Sequence, residues 1–364
     1  MTIRGLATGT LLLAAIAAGA AVGASGAPRS AREAVTLRNG LALIDARTGA
    51  VKRTWDASYG TAAGIVSDGG TGWFVTSFQP GFGLVHLRSN GDQDSGWRAE
   101  LPPGTQTEKL VRVGSRLYVT LHDFNPARFR VASLDAVTGR RLWITPSFRS
   151  AHAQGAPDTI TALAANRSRV FVGGIFGGVG RVRQHVLVAL STDTGRPLRW
   201  RVPVGVVPAD VVTVVALGPP GRLYAGFSGR VAAFNERTGA LLPWDAAYSG
   251  WDTTAITIID HTVVVGGTFG FGGYDETTGR EPAWIKRGLK QRLSGNVFAR
   301  AGDTLYVGGN LRSGTVGNNL GAFNARTGER EPWKPKLARY VSVGTIAPSG
   351  TNLLVSGSFT SSIG

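Results

Sequence analysis

From Thr36 onward the chain alternates apolar and polar positions in short runs, each closed by a cluster of Gly, Asp, Asn or Thr. "ITIIDHTVVVGGTF" (256–269), "VFARAGDTLYVGGNL" (297–311), "LAANRSRVFVGGIF" (163–176) and "IAPSGTNLLVSGSF" (346–359) share one pattern. It is an apolar run, a short polar turn and a second apolar run ending near Gly, the signature of two strands joined tightly. Sustained helix-period stretches are few, so the pattern predicts an all-β fold rich in turns.

A second phrase recurs between these pairs. "LALIDARTGAVKRTW" (41–55), "FGGYDETTGREPAW" (271–284) and "LGAFNARTGEREPW" (320–333) each run from a strand pattern through Asp or Asn and a Gly to a Trp. Seven copies anchor on Gly49, Gly91, Gly139, Gly195, Gly239, Gly279 and Gly328. Their partners are Trp55, Trp97, Trp143, Trp200, Trp244, Trp284 and Trp333, leaving only Trp73 and Trp251 outside the scheme. Periods of this length belong to solenoids, propellers or arrays. Asp45, Asp135, Asn235, Asp275 and Asn324 stand where a short acceptor can take backbone N–H bonds inside a tight turn. The Gly supplies the positive φ that such a hairpin tip needs. The Trp is expected early on the following strand, and Pro243, Pro282 and Pro332 near it suit an edge strand. Copy two has Leu87 and Asn90 where Asp and Thr are expected, and copy four has Ser191 in the Asp place.

Four strands per copy predict a seven-bladed β-propeller over residues 36–364 as a single domain. The last copy stops after two strands, and the missing half stands near the start in "TLRNGLALIDARTGAVKRTW". N-terminal strands are therefore expected to pair with C-terminal ones and close the last blade, removing exposed sheet edges. Residues 1–24 read as a secretory signal peptide, with one cation at Arg4, an apolar run and cleavage after Ala24. Its core is short of the ~20 residues a span needs, and no later stretch is as apolar. A secreted, extracellular protein without a transmembrane segment is expected, with residues 25–35 a short flexible lead.

The rhythm A-x-D-x-x-T-G-x-x-x-W resembles the delta-60 type of repeat. It is also similar to the tryptophan-docked blades of quinoprotein-like propellers, over the whole chain after residue 36. That resemblance implies the architecture. Quinoprotein dehydrogenases of this blade type usually have eight blades, and many hold their quinone beside a disulfide of adjacent cysteines. This chain has seven cycles and no Cys. The resemblance thus carries over only the Asx, Gly and Trp positions as structural ones, and no cofactor is expected.

Composition narrows the partner. No cysteine excludes thiol nucleophiles, CxxC redox chemistry and cysteine-ligated metals. Lys and Arg number 39 against 23 Asp and Glu, a net charge of +16 that attracts anions. Neither a zincin, a nucleophile-elbow nor a calcium-loop motif is present. Three loops exceed the repeat norm, at 122–130, 177–185 and 312–319, and all follow the second strand of their copy. They should converge on one face, carrying Arg128, Arg130, Arg181, Arg183 and Arg312. The sequence therefore favours a monomeric binding or scaffold module for an extracellular protein, glycan or acidic wall polymer, rather than nucleic acid. The alternative is a quinoprotein-like oxidoreductase or a propeller hydrolase, for which no catalytic residue is assigned.

Overall fold

The computed structural model describes residues 37–55, 62–77, 83–149, 159–203, 211–219, 221–227, 229–246, 253–267, 270–285, 293–311, 319–335 and 342–360. Strands are numbered in chain order. β1 (Leu37–Asp45) and β2 (Val51–Trp55) share a sheet with β26 (Ser342–Ser349) and β27 (Asn352–Thr360), in the order β2-β1-β27-β26. β1 pairs with β27 along its full length, from Leu37 opposite Thr360 to Asp45 opposite Asn352. The next sheet holds β3 (Ala62–Ser67), β4 (Trp73–Ser77) and β5 (Leu84–Leu87). Then come β6 (Gln106–Val113), β7 (Arg116–Phe124), β8 (Ala127–Asp135) and β9 (Arg141–Ile144). β11 (Thr159–Ala165), β12 (Arg169–Ile175) and β15 (Leu187–Ser191) form the fourth sheet. β16 (Val214–Leu217), β17 (Arg222–Phe227), β18 (Arg230–Asn235) and β19 (Leu241–Asp245) form the fifth. β20 (Thr253–Ile259), β21 (Thr262–Gly267) and β22 (Gly270–Asp275) precede β23 (Leu293–Ala301), β24 (Thr304–Leu311) and β25 (Leu320–Asn324). A small extra sheet joins β10 (Phe148–Arg149), β13 (Gly178–Val179) and β14 (Val182–Arg183).

The first strands of these sheets lie side by side. β3 touches β6, then β11, β16, β20, β23 and β26 follow in turn, and β26 touches β3. Hydroxyls stitch neighbours together near these strands: Thr76 donates to the Glu108 carbonyl at 2.6 Å and Ser356 to that of Ala62 at 3.0 Å. The core is correspondingly divided into clusters that each bridge neighbouring sheets. One gathers Phe74 and Leu84 with Trp97, Leu110, Leu117 and Leu134. At about 1.5–3 kcal/mol for each large side chain buried, these clusters hold the sheets to one another. Antiparallel sheets packed face to face around such a succession of first strands make a β-propeller.

The expected fourth strand is often reduced. It is present as β2, β9 and β19. In three other sheets it shrinks to one bridge, Leu87–Gln93, Leu190–Pro197 or Phe323–Arg330. After β22 it is replaced by a helical turn at 283–285, started by Pro282, whose missing N–H costs nothing at a helix start. There Ile285 fills the interior place and Trp284 packs only partly buried beside it.

The recurrent phrase is a joint between sheets. Asp275 accepts hydrogen bonds from the backbone N–H of Thr277 (3.0 Å) and Thr278 (2.7 Å) and from the Thr278 hydroxyl (2.8 Å). Asp45 and Asp135 repeat all three bonds, and Asn235 and Asn324 the two from the backbone. The carbonyl at the same turn, or the next one along, receives the preceding sheet. Trp97 Nε1 donates to Ala136 O, Trp143 to Thr192 O, Trp200 to Glu236 O and Trp244 to Asp275 O, all at 2.8–2.9 Å. Trp333 reaches Asp45 O at 3.4 Å, across the chain's two ends. The turn glycine is held twice over. Gly139 has φ +73°, and a Cβ there would lie 2.1 Å from Arg98 O of the preceding sheet. At Gly91 the same atom would strike the Trp55 ring.

The backbone bonds hold the Asp275 carboxyl below the usual range, the N–H and hydroxyl of Thr278 contributing most. Asp275→Ala should cost about 1–2 kcal/mol, the worth of a lost turn or cap acceptor. Asp275→Asn should keep most of it, because Asn235 and Asn324 do the same work. Since the folded pKa lies below the unfolded value near 3.8, the carboxylate's share is present above that pH and fades as pH falls through the folded value. Urea denaturation of wild type and both variants at pH 7 and pH 3 measures it, and the alanine penalty should shrink at the lower pH.

Candidate functional site

In each sheet the link from second to third strand lies at the end opposite the Asx turns. At that end β7 and β8 extend into a long hairpin, nine residues on each side, with Asp123 opposite Arg128 and Phe124 opposite Ala127. Its tip exposes Phe124, 57% accessible, with Arg128 beside it. Below the tip His122 stacks on Phe129, rings 4.2 Å apart and 16° from parallel. Burial pulls the His122 pKa below its ordinary value, with Asp123 acting the other way.

Arg130 does not face outward as a free cation. Its guanidinium meets the Asp123 carboxylate at 2.6 Å, and Asp123 also accepts from the Thr105 hydroxyl at 3.0 Å. The bulge of β6 brings Glu108 and Lys109 nearby, with the Glu108 carboxylate 4.0 Å from His122 Nδ1. Burial pushes the Glu108 carboxyl up and pulls the Lys109 ammonium down, each partly offset by the other's charge.

The second long loop is folded against the first. Phe129 shares a buried cluster with Phe148, Phe176 and Val179, which belong to the small sheet and its approach. Phe148 and Phe176 meet edge to face at 4.9 Å. The buried Gln184 amide anchors the loop from beneath, donating to Leu187 O at 3.1 Å and Trp200 O at 2.6 Å. Arg149, Arg181 and Arg183 stand exposed on this sheet, around Val182 at 39% accessibility. The structure therefore brings together the loops of Arg128, Arg130, Arg181 and Arg183. Arg128, Arg181 and Arg183 have no carboxylate partner among the described residues. Arg312 lies outside the described residues, as does Trp251. Arg149 was legible only through the small sheet, which the repeat pattern does not contain.

Copy two departs from the joint in another way. His86 is bridged by Asp68 at Nε2 (3.2 Å) and Asp94 at Nδ1 (3.1 Å), and Arg88 binds Asp94 at 2.9 Å. This network ties the β3–β4 turn to the end of β5 and replaces the absent turn Asp. Among the described residues no three His, Asp or Glu side chains are grouped to hold a metal ion.

The family model described as outer membrane protein assembly factor BamB matches residues 81–267 and 127–356. No curated protein matches the chain. Similar folds occur in solved structures at identities that speak of fold alone. The computationally designed Ika8 protein has a TM-score of 0.60 at 15% identity, covering 90% of this chain and 92% of Ika8. The extracellular domain of BT4673 from B. thetaiotaomicron has a TM-score of 0.55 at 11% identity, over 84% of this chain and 38% of that one. The extracellular domain of BT3049 from the same organism reaches 0.53 at 12%, over 82% and 40%. With its two family matches spanning residues 81 to 356, and sheets docked in succession through Trp and Asx turns, the chain belongs to the PQQ-like β-propeller family of outer membrane protein assembly factor BamB.

Proposed function

We propose that this chain is a secreted, seven-bladed propeller of delta-60 rhythm, closed by the pairing of β1 with β27, that binds an acidic extracellular polymer. The contacting face carries the β7–β8 hairpin and the β10-β13-β14 sheet. Secretion rests on the N-terminal pattern of residues 1–24, with cleavage after Ala24 and the propeller as the single domain of residues 36–364. It fits the extracellular origin of the similar domains from B. thetaiotaomicron and the lack of a helix, among the described residues, long and apolar enough to cross a membrane. Seven blades rest on the succession of first strands from β3 to β26 and back.

The observation that carries the binding reading is that Arg128, Arg181 and Arg183 are exposed and, among the described residues, without carboxylate partners on two elements joined through Phe129. A guanidinium offers a planar fork of donors to carboxylate, phosphate or sulfate. Arg130 drops out of the contacting set, because Asp123 already uses its charge. Alginate, a polycarboxylate, serves as the probe in a calorimetric titration of the full chain. Affinity should fall roughly tenfold between about 50 and 300 mM salt, as the screening length shrinks by more than half. Replacing Arg128, Arg181 and Arg183 together by Gln should abolish binding, and Arg130→Gln should leave most of it. Binding that persists at high salt, or in the triple variant, refutes the reading.

A further inference from the structure

The sheet of β3, β4 and β5 has an unfinished edge. Its fourth strand is reduced to the Leu87–Gln93 bridge, next to which Asp94 N–H donates to His86 O at 2.8 Å. His86 thus points its backbone groups outward, and with period two so does Leu84. The position of Leu84 is defined by counting back four residues from the carbonyl that receives the turn glycine, here Arg88. The same count gives Leu41, Val131 and Leu187 in other sheets, from Asp45, Asp135 and Ser191.

Those three positions are all served. Leu41 is paired with Trp55 of β2. Val131 N–H donates to the Thr145 hydroxyl and Val131 O accepts from Thr145 N–H, both at 2.9 Å. Leu187 O accepts from the Gln184 amide at 3.1 Å. In the β3–β5 sheet, no described residue bonds the outer side of Leu84. Instead Leu84 lines a groove of about 450 Å³, walled by Trp97, Leu101, Pro102 and Pro103, with Arg98 at its border. The chain turns away at Trp97, whose ring nitrogen is taken by Ala136 O, so it does not return to the edge. Pro102 and Pro103 cannot donate, and so cannot themselves complete a ladder.

We infer that this groove receives an extended acidic segment of a partner protein, added antiparallel to β5 as the missing fourth strand. Its N–H and C=O groups pair with Leu84, and a carboxylate meets Arg98. Main-chain pairing at a sheet edge supplies affinity, and alternate side chains supply selectivity. Charge selects the occupant: Arg98 is exposed, and the chain as a whole carries +16. The chain's own residues 25–35 hold two Arg and one Glu, and a second copy is equally basic, so both fit poorly.

The test is amide hydrogen exchange on the full chain, with and without a capped octapeptide alternating Val or Thr with Glu. Peptide should slow exchange at Leu84 about tenfold while leaving amides of β17 and β18 unchanged. The same peptide with Lys for Glu should protect weakly, and Arg98→Glu should reverse that preference. Leu101→Trp, which fills the groove without touching the ladder, should remove the protection at an unchanged melting temperature. Failure of the acidic peptide to protect Leu84 overturns the inference. So does loss of existing Leu84 protection on deleting residues 25–35, which makes the occupant the chain's own lead. Protection that rises with protein concentration alone also overturns it, making the occupant a second copy.

Discussion

Trp200→Ala is expected to destabilise the protein by about 3–5 kcal/mol, at the high end for removing a core aromatic. Trp200 is 1% accessible and meets Phe171 edge-on at 5.5 Å. Its ring nitrogen donates to Glu236 O at 2.9 Å, and that carbonyl would be left without its partner. The Gln184 amide, bonded to Trp200 O, would lose the packing that positions it. Four effects therefore fall on one joint: a cavity, a lost edge-to-face contact, an orphaned acceptor and a loosened loop anchor. Trp200→Phe should restore most of the volume and leave a deficit of about 1 kcal/mol, the net worth of one hydrogen bond. Trp55→Ala is the internal comparison. Trp55 is only partly buried, under the Arg53 guanidinium at 4.8 Å, and should cost clearly less. Urea unfolding followed by far-ultraviolet circular dichroism gives all three values. Equal penalties for Trp200 and Trp55 would mean that the joints do not carry the stability assigned to them.

Gly139→Ala is the second large effect, and Gly114→Ala isolates its cause. Both glycines have left-handed backbones, at +73° and +61°. A methyl group at Gly114 meets nothing within 4 Å, so its cost should be the conformational penalty of about 1–2 kcal/mol. At Gly139 the added carbon would sit 2.1 Å from Arg98 O and 2.7 Å from its carbonyl carbon. Those are backbone atoms, which yield only if the two sheets separate, and overpacking adds about 1–3 kcal/mol. Gly139→Ala should therefore cost about 2–5 kcal/mol in all. Melting curves of the two variants decide the matter: similar midpoints would reduce the turn glycine to a matter of φ alone.

The sequence reading and the structure agree where the physics is local. The bonds of Asp45, Asp135 and Asp275 fall within three residues, so one copy of the phrase contains them all. The positive φ of the glycines is equally local. The direction of the Trp is not, because its acceptor belongs to the next copy some 40 residues on, and no single copy records that relation. Its aromatic partner leaves a signal of its own in the repeat: Phe74, Tyr118, Phe171, Tyr224 and Tyr306 stand at one place in "WFVT", "LYVT", "VFVG", "LYAG" and "LYVG". Each packs on the Trp of its own copy, with ring centres 5.1–5.9 Å apart. The reduced fourth strands are half legible. Pro282 and Pro332 suit an edge, but a strand, a helical turn and a single bridge share that signal. On the proposed contacting face, Arg130 reads as an open cation in the sequence because its neutralising Asp123 stands seven residues earlier. The two meet only once the register of the hairpin is known.

The pairing of β1 with β27 has a consequence for how the chain reaches this state. β1 is made first, yet its partner follows some 300 residues later. Closing so long a loop costs only about 2 kcal/mol more than closing one of 40 residues, so the equilibrium hardly registers the distance. The delay is felt in time. Until β27 arrives, the nine residues Leu37–Asp45 present an unpaired strand edge, with Leu41, Leu43 and Ile44 bound for the interior. Such an edge is a template for any other extended chain. The stretch that completes this sheet is thus also the one that most needs protection during synthesis.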